Sequence, residues 1–143
     1  MGIIIHDRHS FTPKATTAQS DVLAIAQQAF AAQQKGIATG NWTDFVALLS
    51  DEIELRAPSP HVPPDGVHGK PAVAALLQKF TTELNIAGKL TQMQPSVFNE
   101  TTVAIEFLGE GQFDGEVVSH QLVVFYEIEN GKIKRFREYI GRI

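Results

Sequence analysis

The last forty residues hold two tight-turn signatures, and together they limit this chain more than any other feature. Asp114-Gly115 in FDGE and Asn130-Gly131 in IENGK are the residue pairs that two-residue hairpins favour, because both central positions take positive φ. Three antiparallel strands follow, and their registers can be written down. The first turn pairs Phe113 with Glu116 and hence Glu106 with Val123. The second pairs Glu129 with Lys132 and hence Val123 with Glu138. Side chains alternate along a strand, so Glu106, Val123 and Glu138 are expected in one row of one face. Its neighbouring rows are Ala104, Phe125, Phe136 and Leu108, Gln121, Ile140.

Two carboxylates thus interrupt a largely apolar face. Burying a carboxylate is costly unless it is paired or protonated, so the row points to chemistry more than to a mere core. Glutamates flanking one strand have Cβ atoms about 10 Å apart, within reach of a single small ligand. Desolvation and mutual repulsion then raise at least one pKa, leaving a protonated acid beside an ionised base. The alternative is a solvent-facing row, or glutamates neutralised by arginines such as Arg56.

With 143 residues, 43% hydrophobic and 20% charged, the sequence suits one globular domain with a sizeable core. A net charge of -4 without Lys or Arg runs argues against nucleic acid and against anionic membrane surfaces. The absence of cysteine excludes disulfides and thiolate chemistry. The opening MGIIIHDRHSF is too short in apolar residues for a secretory leader or a membrane span, so a cytoplasmic location is expected.

Residues 1–19 read as a flexible arm, and residues 20–143 as a single domain. His6 and His9 form an H-x-x-H pair without zinc-finger context and read as solvated tail, so no metal is expected. Ser20 is the expected cap of a helix reaching about Ala38, with Gly40 as its stop; Asn41 caps a short helix containing Trp42. DEIELRAP alternates as a half-buried strand. A proline-rich loop carrying His61 and His68 follows, placed to cover a cavity mouth. GKPAVAALLQKFTTEL is a third helix, and residues 87–99 form a weak strand broken by Pro95. Helices segregated from a run of antiparallel strands give an α+β fold whose curved sheet walls a pocket.

The same registers place Val103, Ile105, Phe107, Leu122, Val124, Tyr126, Arg137 and Tyr139 on the opposite face. That face is too apolar for water, and sheet-to-sheet homodimerisation is the expected use. His120 falls on this outer side, although a bulge in the glycine-rich GEGQFDG segment would turn it inward.

Three segments, GNWTDFVALLSDEIELRAP, HGKPAVAALLQKF and VVFYEIENGKIKRFREYI, resemble the SnoaL-like group of the NTF2-like superfamily, and the resemblance spans residues 20–143. It implies an α+β cone, usually dimeric, whose pocket hosts cyclases, isomerases, epoxide hydrolases or catalytically silent binders. Arg137-Glu138-Tyr139 is similar to the R-E-F segment of phenazine-biosynthesis acid/base proteins and to the R-D-Y segment of limonene-epoxide-hydrolase-like enzymes, which implies a pocket acid at Glu138. Glu106 matches the hydrolase's second carboxylate. The hydrolase's arginine is replaced by Ala104, the ketosteroid-isomerase base by Ala57 before Pro58, and the cyclase pair has only His120 and Asp114 to draw on.

The expected function is therefore acid/base chemistry of isomerase, cyclase or hydrolase type, through Glu138 and Glu106, on a small apolar ligand. Trp42, Phe125, Phe136, Ile140, Gln121 and Ala104 are expected to line its pocket, with no cofactor. The alternatives are a non-catalytic carrier or sensor, and a dimeric interaction module with a vestigial pocket.

Overall fold

The computed structural model describes residues 16–142. Helix α1 (Thr17–Thr39) starts from a reciprocal capping box. The Thr16 hydroxyl accepts the Gln19 N–H, and the Gln19 side chain accepts the Thr16 N–H. Ser20 is therefore not the cap; three residues beyond it stands Leu23, which has no group to return the bond. The helix begins a few residues earlier than expected, and residues 1–15 of the expected arm, with His6 and His9, lie outside the described residues. Gly40 ends the helix at φ 78°, its N–H bonded to the Gly36 carbonyl.

In the next helix, α2 (Thr43–Ala47), Asn41 Oδ1 accepts the Thr43 N–H. Trp42 lies against Gly36 of α1 where a Cβ would otherwise stand, and its indole N–H donates to Thr81. The chain continues through β1 (Leu49–Arg56), β2 (Val67–His68) and α3 (Lys70–Thr82), then β3 (Ala87–Gln92) and β4 (Val97–Phe98). It ends in β5 (Thr102–Phe113), β6 (Glu116–Glu129) and β7 (Lys132–Arg142). The sheet order is β2-β1-β7-β6-β5-β3, with β4 also on β5; the β1–β7 pair is parallel and the others antiparallel. Helices α1 and α3 cover one face, Phe30 packing edge-on against Phe107 at 5.4 Å. The architecture is α+β.

Both hairpins form at the expected residues, with Asp114, Gly115, Asn130 and Gly131 all at positive φ. The β5–β6 register is the one read from the sequence, including Glu106 opposite Val123. The β6–β7 register begins as expected, with Glu129 opposite Lys132 and Ile128 opposite Ile133, and then slips by one. Glu127 faces Arg135, Tyr126 faces Phe136 and Val124 faces Glu138. Lys134 is the extra residue of a β-bulge. It lets Ile133 and Phe136, three apart, both turn into the core, where strict alternation would bury one and expose the other.

That slip separates the expected glutamate row. Glu138 now shares a face with Ile105 and Val124, whereas Glu106 stands in the row Glu106, Val123, Tyr139 on the other side. Val103, Ile105, Phe107, Val124 and Tyr126, expected on a dimer surface, are each at most 1% exposed and form the core beneath the helices. Leu122 packs against that core as well. Of the expected dimer face only Arg137 and Tyr139 point away, with Arg137 5.2 Å above the Phe125 ring and Phe125 6.1 Å from Tyr139.

Candidate functional site

Between the helices and the concave face of the sheet lies a cavity of about 160 Å³, open at one end. Its walls are apolar: Trp42 and Phe45 from the α2 region, Leu77 and Phe80 from α3, Phe107 from β5 and Phe136 from β7. Trp42, Phe45 and Phe136 follow one another edge-to-face at 5.8 and 5.9 Å along the wall. Glu138 of β7 faces this apolar room.

Glu138 Oε2 accepts a hydrogen bond from Gln33 Nε2 at 3.1 Å, and Gln33 Oε1 accepts one from the Tyr126 hydroxyl at 2.7 Å. Gln33, 6% exposed, is the buried polar side chain of the core among the described residues. Desolvation pushes the Glu138 carboxyl up to about 7, and the Gln33 donor opposes that rise. Glu138 keeps partial accessibility because it faces the cavity, but the groups around it are protein, so its charge is poorly solvated. Burial, with the Glu138 charge nearby, pushes the Tyr126 phenol well above its usual range, so it remains a proton-bearing donor. The bond polarity along Tyr126, Gln33 and Glu138 is thereby fixed.

Of the residues singled out in the sequence, Glu138, Trp42, Phe136 and Ile140 line the cavity together. Glu106, Phe125, Gln121 and Ala104 do not. They alternate with the buried residues of β5 and β6 and so lie on the convex face, Glu106 and Gln121 being exposed there. The geometry therefore brings one carboxylate, not two, to the cavity. His120, placed outside by the strict register, lines the cavity: it shares its face with Leu122 and Val124, the β5–β6 register being unbroken. Gln33 was missed. Its signal is a polar residue at a buried position of the α1 stripe Ala26, Ala29, Phe30, Gln33, Ile37.

Ala57, Pro58 and Ser59 of the proline-rich loop line the mouth, and His61 Nε2 reaches Asp114 Oδ2 of the β5–β6 turn at 3.5 Å. Arg56 pairs with Glu54 at 3.3 Å and with neither Glu106 nor Glu138, so no arginine neutralises the cavity acid among the described residues. Among the described residues no group of three His, Asp or Glu converges as a metal site, and no helix is long and apolar enough to cross a membrane.

A family model for the SnoaL-like domain matches residues 27–136. An NTF2-like protein from Anabaena variabilis is similar in structure, with a TM-score of 0.77 at 24% identity over 92% of this chain and 96% of that one. A candidate SnoaL-like polyketide cyclase from Jannaschia sp. CCS1 gives a TM-score of 0.72 at 11% identity, covering 90% and 91% of the two chains. A candidate isomerase from Rhodopseudomonas palustris gives 0.61 at 14%, covering 82% and 90%. No curated protein matches the sequence. At these identities the structural likeness speaks for the fold alone, while the family model spans most of the chain: the protein belongs to the SnoaL-like family and has the NTF2-like fold.

Proposed function

We propose that this protein binds a small, largely apolar molecule in the cavity and that Glu138 acts on it as general acid or base. The observation that carries the reading is a carboxyl turned into a largely apolar cavity, where desolvation pushes it up to about 7. At neutral pH such a group is populated both as donor and as acceptor, which is what proton transfer to and from carbon or oxygen needs. Gln33 occupies Oε2, so the proton that moves sits on Oε1. Glu106, on the convex face, takes no part. Isomerase and cyclase chemistry, the classes in the names of two structural relatives, both proceed by such transfers.

The test is a carboxyl NMR titration assigned with Glu138→Gln, followed by a turnover screen of cyclic ketones and epoxides. Glu138 titrating near 7, and loss of any turnover in a folded Glu138→Gln protein, are the expected results. Titration near 4.5 would refute the reading.

We also propose that the convex face pairs with a second copy, through residues other than those read from the sequence. Val123, Phe125 and Tyr139 form an apolar strip there, Tyr139 being 46% exposed. Glu106 and Arg137 lie in adjacent rows beside it, so a two-fold pairing is self-complementary in charge. Tyr139→Asp should give a monomer by light scattering with an unchanged fold; a persisting dimer rules this face out.

A further inference from the structure

Glu138 is not alone in the cavity. His120 lies on the same face of the sheet, four residues along β6 from Val124, the residue opposite Glu138. At sheet spacings their Cα positions are therefore roughly 14 Å apart, with Glu138 deep and His120 toward the mouth. Among the described residues no side-chain partner occupies the His120 ring. On the strand beside it the positions after Phe107 that share this face are Gly109 and Gly111, and the Leu122 and Leu90 side chains stand 3.2 and 3.6 Å from where a Gly109 Cβ would lie. Between the two polar groups the wall is apolar: Leu122, Ile140 and Phe136 from the sheet, Trp42 and Phe45 from the opposite side.

A ligand that fills this space meets a hydrogen-bonding group at each end and aromatic and aliphatic side chains between. The charge around the mouth limits it further. Asp114 stands at the β5–β6 turn beside His61. With Glu138 at the deep end, an anionic ligand is disfavoured.

We propose that the cavity selects an uncharged, flat molecule of one or two rings carrying a hydrogen-bonding oxygen at each end of its long axis, one met by Glu138 and the other by His120. The inference rests on the proposed ligand-binding role of the cavity and deepens it by naming the ligand class. An apolar cavity of similar volume accepts a single benzene-sized ring, and the open mouth leaves space for a second. The specificity comes from the ends, since a buried polar group left unpaired by a shorter or apolar ligand is penalised.

Titration calorimetry with 2,6-dihydroxynaphthalene, 2-naphthol, naphthalene and 6-hydroxy-2-naphthoate tests this. The diol should bind about tenfold tighter than 2-naphthol, the scale of one hydrogen bond, and naphthalene and the carboxylate should be weaker still. His120→Leu should abolish the preference of diol over naphthol, and His120→Gln should restore much of it; thermal melts confirm that both variants fold. A preference that survives His120→Leu, or a carboxylate that binds tightest, overturns the assignment. Absence of binding by all four overturns it too, while a Glu138 titration near 7 in the same samples would leave the acid/base reading standing.

Discussion

At the scale of single residues, the site depends on which way one amide points. The Tyr126 hydroxyl donates to Gln33 Oε1, which leaves Nε2 to donate to Glu138, so a tyrosine that never touches the cavity acid decides what the acid feels. Removing that hydroxyl frees the amide to turn and present its oxygen, which favours the protonated acid. Tyr126→Phe should therefore raise the Glu138 pKa above 7, by about one unit if a charge-assisted hydrogen bond of about 1.5 kcal/mol is lost. NMR titration of the variant checks this, and an unmoved or lowered value would mean that Gln33 is held by packing alone. Glu138 was legible in the sequence because a carboxylate between Phe136 and Ile140 breaks an alternating apolar strand. Gln33 breaks a helical stripe in the same way. Glu106 misled because an exposed glutamate and a buried one look identical until the register is known.

At the scale of elements, the two turns were legible in full and the bulge between them and the site was not. Turn chemistry is local, two residues fixing a backbone conformation, whereas a bulge answers to the packing of side chains far apart in sequence. Its trace is the segment Ile133-Lys134-Arg135-Phe136, in which two adjacent charges separate two residues that both belong in the core. Reading it with strict alternation exchanged the faces of β5 and β6 while leaving β7 correct. If the buried face sets the register, deleting Lys134 should leave Ile133 opposite Ile128 and Phe136 opposite Tyr126, now without a bulge. The ion pairs of Lys134 with Glu127 and Glu129 go with it, a small loss for such solvent-screened pairs. The deletion variant should fold and keep Glu138 titrating near 7. A fall to the ordinary carboxylate range would show that the bulge itself, and not the core, turns Glu138 inward.

For the whole molecule, a carboxyl held out of water makes global stability depend on pH in a direction that can be worked out. Glu138 has an ordinary value of 4.5 and is pushed to about 7 in the fold. The folded state thus binds this proton more tightly than the unfolded chain, and unfolding between those pH values releases it. The contribution is fully present below about 4.5, shrinks as pH rises, and is gone above about 7. Its size follows from the shift and is on the order of 3 kcal/mol, a large share of a typical domain's stability. Glu138→Gln keeps the shape and can still accept from Gln33 but carries no charge. Urea unfolding of the two proteins should therefore give nearly equal stabilities at pH 4.5, with the variant ahead by up to about 3 kcal/mol at pH 8. Other carboxylates titrate in both proteins and cancel in the comparison. A gap that stays the same from pH 4.5 to pH 8 would mean that the Glu138 charge is well solvated in the fold. A gap that opens as the carboxyl ionises would measure what the fold gives up to keep an acid where an apolar residue would be more stable, a sacrifice expected of a site held for chemistry.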